Sequence, residues 1–122
     1  MRVCISATGK GIDAAVDPRF GRCRYFLLVD TETLNVESLD NSAIAASGGA
    51  GIQAAQLVVN QGAQVVLTGD VGPNAFQALR AGGVKIVTGA QGTVKDVLER
   101  FKRGELGYAG AASAEPHAGM RR

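Results

Sequence analysis

A chain of 122 residues that is 46% hydrophobic and 20% charged has the size and balance of one soluble globular domain, and disorder through its body is excluded. No stretch approaches roughly 18 uninterrupted apolar residues, so a membrane-spanning helix is excluded as well. The net charge of +2, from 13 basic and 11 acidic residues, is too small for a general polyanion binder, and no nucleic-acid partner is expected.

Residues 2–7 are a short apolar, β-branched run ending at Thr8-Gly9, which predicts a buried strand. The N-terminus enters that strand without the order of a signal peptide, so a cytoplasmic location is expected. A loop over 8–19 carries Gly9, Gly11 and Pro18. Residues 25–29 predict a second strand covered on both faces, and 34–39 its hairpin partner across the polar turn 30–33. Residues 40–47 read as a loop.

Gly48-Gly-Ala-Gly51 then opens a helix over about 52–61, which Gly62 stops. Residues 65–67 predict a strand. Pro73 suits the first turn of a second helix with a stripe of Ala75, Phe76 and Leu79, ended by Gly82-Gly83. Residues 84–87 predict a fifth strand. Thr93 caps a third helix, with Val94, Val97, Leu98 and Phe101 at helical spacing and Gly104 closing it. The later strand–helix alternation implies parallel pairing, and the hairpin implies an antiparallel part. The expectation is an α/β domain over residues 1–104 with a five-stranded mixed sheet and helices on its faces. The tail 105–122 is poor in periodic apolar residues and is expected to be disordered.

Three strands finish alike, in Thr8-Gly9, Thr68-Gly69 and Thr88-Gly89. If these strands are parallel, their loops share the carboxyl edge of the sheet, where ligands of open α/β sheets bind. That edge would bring together three hydroxyls and the starts of all three helices, an anion-accepting surface. Lys10, Arg19 and Arg22 add positive charge. The alternative is that Thr-Gly simply ends strands and Thr93 simply caps, with no ligand involved.

Gly49-Ala-Gly51-Ile-Gln-Ala54 matches a dinucleotide fingerprint, but a loop rather than a strand precedes it. Some other anion at this glycine-rich helix start fits better. Cys23 follows Arg19 and Arg22, and guanidiniums favour a thiolate. It is a candidate soft-metal ligand or reactive thiol, with an inert half-buried cysteine as the alternative. Cys4 alternates within the first strand and reads as core. One soft ligand does not make a closed metal site, and the only histidine, His117, lies in the tail. Asp17, Asp30 and Asp70 are not bracketed as a set for two-metal chemistry, with Asp30 reading as a turn residue. No catalytic constellation is evident, so the chain is expected not to be an enzyme.

Phe20-Gly-Arg22, the Gly48–Gln56 stretch, Thr68-Gly69, Gly72-Pro-Asn-Ala-Phe76 and Gly92-Thr-Val94 occur together and in order. This ordered set resembles the dinitrogenase iron–molybdenum cofactor biosynthesis family, the NifX/NifB-C-terminal-like domain, over about residues 1–107. The resemblance implies a ribonuclease-H-like three-layer α/β/α fold. It implies binding rather than catalysis: a carrier of an iron–sulfur or iron–molybdenum cluster precursor, partnered by metallocofactor assembly proteins or an apo-metalloenzyme. The family often carries His at the position of Ser47. Carried onto this chain, the resemblance and the loop chemistry mark Arg19, Arg22, Cys23, Gly48, Gly49, Gly51, Gly72, Pro73 and Asn74 as the binding surface, with Cys23 as the metal ligand. A small-anion or nucleotide-binding regulatory module, or a docking domain for a larger metalloprotein, is the alternative.

Overall fold

The computed structural model describes residues 1–45, 48–110 and 112. Five strands, β1 (Arg2–Ala7), β2 (Tyr25–Asp30), β3 (Val36–Asp40), β4 (Val65–Leu67) and β5 (Lys85–Val87), form one sheet in the order β3-β2-β1-β4-β5. β1, β4 and β5 are parallel, and β2 runs antiparallel to both β1 and β3. The helices are α1 (Ala50–Asn60), α2 (Pro73–Ala81) and α3 (Val94–Lys102). Two 3-10 turns, Phe20–Arg22 and Ser42–Ala45, lie in segments that the sequence marks only as loops.

Side-chain alternation along the strands sorts the core into two layers. Cys4, Phe26, Leu28, Val66 and Ile86 face one way and pack under Ala54, Ala55, Val58, Ala75, Phe76 and Leu79 of α1 and α2. Val3, Ile5, Leu27, Val29, Val65, Leu67 and Val87 face the other way, under Val94, Val97 and Leu98 of α3. The architecture is therefore a three-layer α/β domain with a mixed sheet, as expected. Each fully buried aliphatic side chain contributes about 1.5–3 kcal/mol to it.

The hairpin turn is closed by Asp30, whose carboxylate accepts the Glu32 and Thr33 amides at 2.8 and 3.2 Å. Those two amides hold its pKa below the ordinary carboxylate range. The loop over 8–19 folds back across the end of the sheet. The Asp17 amide donates to Ser6, and the Asp70 amide to Pro18, at 2.9 and 2.7 Å. Gly69 is required at that crossing, because a Cβ there would lie 2.6 Å from the Pro18 Cα.

The described part of the tail, residues 105–110 and 112, lies against the domain. Leu106 packs on the α3 layer, while Ala109 and Ala112 pack on the α1/α2 layer. The Ala109 amide donates to the Ile86 carbonyl at 2.7 Å, and Tyr108 stacks edge-on against Phe101 with centroids 6.4 Å apart. Four side chains of modest size suffice to dock this segment on β5, a signal too sparse for periodicity to register. His117 and the rest of the tail lie outside the described residues.

Candidate functional site

A groove of about 270 Å³ opens where the Phe20–Arg22 turn meets the first turns of α1 and α2. Its lining runs through Gly21-Arg22, Gly49 to Ile52 and Gly72 to Ala75. The walls approach through main chain. A Cβ on Gly21 would lie 3.0 Å from the Gly51 Cα, and a Cβ on Gly51 would lie 3.2 Å from the Ala75 Cβ. Gly49 has φ +71, a left-handed conformation that strains any residue bearing a side chain.

The three helix starts are not equivalent. At α3, Thr93 Oγ1 accepts the Asp96 amide at 3.1 Å, and the Val94 and Lys95 amides donate to Ala14 and Ile12 of the loop. The start of α3 is closed by the protein itself. The N-cap residues of α1 and α2 are Gly49 and Gly72, which have no side chain to cap with, and among the described residues neither helix start shows a side-chain cap. The first-turn amides of Ala50, Gly51 and Ile52 in α1 and of Asn74 and Ala75 in α2 have no acceptor within their own helix, Pro73 having no N–H, and all five residues line the groove, with the partial positive charge of both dipoles behind them. Arg22, exposed on the rim, adds a full charge. The arrangement suits an anion rich in acceptor atoms.

The structure thus brings together Arg22, Gly49, Gly51, Gly72, Pro73 and Asn74 of the expected surface. Gly48 precedes the groove without lining it. Arg19 lies outside the groove: its backbone amide and side chain both turn to the carboxylate of buried Asp17, the Nε at 3.3 Å. Lys10 sits over the Tyr25 ring, 5.6 Å from the centroid. Ser47 lies outside the described residues.

Cys23 lies away from the groove surface. It is 0% exposed, set in the core against Phe20 and Phe26, and its thiol donates to the Phe20 carbonyl at 3.3 Å. The flanking guanidiniums stay in solvent, where water screens them. Burial first, and then the Asp17 carboxylate, push the Cys23 thiol up to about 12, the reverse of the activated thiolate that the neighbouring arginines suggest. Cys4, wholly buried, is raised as well, by burial first. Among the described residues no three His, Cys, Asp or Glu side chains cluster as metal ligands, and Asp17, Asp30 and Asp70 do not gather. Two of the three strand-end threonines are engaged within the protein. Thr68 turns inward to share a 2.6 Å hydrogen bond with Ser6, and Thr8 bonds to the Ala15 carbonyl.

Sequence reasoning missed Asn41, buried at 2% exposure beneath the turn that carries Arg22. A single polar residue in a loop gives no periodic or motif signal.

The dinitrogenase iron-molybdenum cofactor family model matches residues 1–104. The chain belongs to that family. Solved structures share the fold closely. The apo form of the orange protein from Desulfovibrio gigas is 44% identical with a TM-score of 0.91, over 93% of this chain and 96% of that one. A Thermotoga protein provisionally described as a NifB protein is 38% identical with a TM-score of 0.77, over 88% and 91%. An uncharacterised protein of Methanocaldococcus jannaschii is 27% identical over 94 residues, 75% of this chain and 80% of its own. Among the described residues, no helix is long and apolar enough to cross a membrane.

Proposed function

We propose that this chain is a non-enzymatic, cytoplasmic carrier whose groove receives an anionic iron–sulfur or iron–molybdenum cluster precursor as cargo, for transfer among metallocofactor assembly proteins or to an apo-metalloenzyme. One observation carries the reading: two uncapped helix starts and Arg22 face one groove, while the third helix start is closed by its own threonine and loop. The family supports the class of cargo. The strand order, with only β2 antiparallel to the rest, supports the ribonuclease-H-like description.

In this reading cargo is held by main-chain N–H groups and Arg22 rather than by a protein thiolate. Sulfide atoms of the cargo accept those hydrogen bonds, and its negative charge is met by the dipoles. The test is anaerobic. The full chain is offered iron with sulfide, and separately tetrathiomolybdate, a coloured molybdenum–sulfur dianion. Stoichiometric uptake that weakens in Arg22→Ala and persists in Cys23→Ala is expected. Uptake lost in Cys23→Ala but kept in Arg22→Ala would overturn this mode of holding. Stabilisation by phosphate compounds, with no uptake of either metal probe, would favour the small-anion module instead, since uncapped amides accept any compact anion.

A further inference from the structure

The Arg22 turn forms one wall of the groove. Its first residue is anchored by the buried Phe20 ring and by the Phe20 amide, which donates to the Asp70 carbonyl at 3.2 Å. Its far side is held by one buried side-chain amide. Asn41 Nδ2 donates to the Cys23 carbonyl at 2.8 Å and to the Gly21 carbonyl at 3.3 Å. Its Oδ1 accepts the Ala43 amide at 3.1 Å, and its own backbone amide donates to Arg24 at 3.0 Å. Both ends of the side chain are thus in use, one on the Arg22 turn and the other on the turn Ser42–Ala45 that leads toward α1. The Gly21 carbonyl is the acceptor immediately before Arg22. Turning it inward sets the peptide plane from which the Arg22 side chain leaves.

We infer that Asn41 is the positioning residue of the groove: it holds the Gly21-Arg22 peptide against the first turn of α1, so that Arg22 and the uncapped amides address the same cargo. A side chain of equal size that accepts but cannot donate, Asp, keeps the bond from Ala43 and sets a carboxylate against two carbonyl oxygens. The wall is then released while the rest of the fold keeps its packing. This inference rests on the proposed reading of the groove for its functional consequence, and on the hydrogen bonds alone for its structural one.

The test uses the full chain with Asn41→Asp, Arg22→Ala and the two combined. Tetrathiomolybdate affinity is read by absorbance, and backbone amide shifts by NMR. Asn41→Asp is expected to weaken binding roughly tenfold and to move the amide signals of Gly21, Arg22 and Gly51 while those of α3 stay in place. The double variant is expected to bind no more weakly than Arg22→Ala, because both changes remove the same contribution. Wild-type affinity in Asn41→Asp, or losses that multiply in the double variant, would overturn the inference. If Asn41→Asp does not fold, Asn41→Ser carries the same test with one donor retained and no added charge. If the wild-type chain takes up no probe, the reading of the groove fails, and the amide shifts still decide the placement: unmoved Gly21 and Arg22 signals overturn it, moved ones support it.

Discussion

A Cβ on Gly21 would lie 3.0 Å from the Gly51 Cα and 3.2 Å from its amide nitrogen. Two segments distant in sequence therefore touch main chain to main chain, and neither can yield as a side-chain tip would. Gly21→Ala must push the Arg22 turn off α1. Overpacking of this kind costs about 1–3 kcal/mol. Urea denaturation of Gly21→Ala is expected to show that loss, and its uptake of the metal probes to fall further than that of an equally destabilised core variant.

The buried thiols set a pH dependence. Cys23 is raised from 9.0 to about 12 in the folded chain, and Cys4 is raised too. The folded state then holds protons that the unfolded state has released, so stability falls as pH rises. The contribution is fully present below about pH 9 and is lost between there and about 12. Urea midpoints should fall across this window, and less steeply in a variant with both cysteines replaced by Ala. At pH 8 iodoacetamide should label neither cysteine until the chain is unfolded; rapid labelling of native protein would contradict the burial.

Arg22 and Thr93 should separate binding from stability. Arg22→Ala, at an exposed position, is expected to leave the unfolding midpoint within about 0.5 kcal/mol of wild type while weakening anion uptake. Thr93→Ala removes the cap on α3 and should cost about 1 kcal/mol with uptake unchanged. Uptake in the wild type should weaken with added salt, since exposed Arg22 acts through a screened interaction.

The docked tail should also register. Tyr108→Ala removes the edge-on pair with Phe101 and the contact with Lys85, whose Nζ lies 5.0 Å from the ring centroid. A loss of about 1 kcal/mol is expected, with faster hydrogen exchange at the Ala109 amide. An unchanged exchange rate would place Tyr108 outside the docking contact.

The elements were legible because their signals are local. Glycine, Pro73 and Thr93 punctuate the helices, and apolar runs mark the strands, so parallel pairing of β4 and β5 follows from their alternation with helices, whereas β1, followed by a hairpin, carried no such signal for its parallel pairing with β4. Arg22, Gly49, Gly51 and Gly72 to Asn74 were legible as a surface because each sits at the start of a helix or turn. Cys23 was not, since its environment is set by Phe20 and Phe26, whose rings lie 5.2 Å apart and draw the turn inward. Nor were the pairing of Thr68 with Ser6, the closing of α3 by residues 12 and 14, or the hub at Asn41. Each joins segments whose proximity only the folded sheet creates.

Glycines from three separate stretches of chain, Gly21, Gly49 with Gly51, and Gly72, line the groove. Main chain has no rotamers to reorder against a guest. If the proposed reading holds, most of the ordering on this side of the encounter falls on the one exposed arginine, and selection is by size and charge rather than by a change of shape.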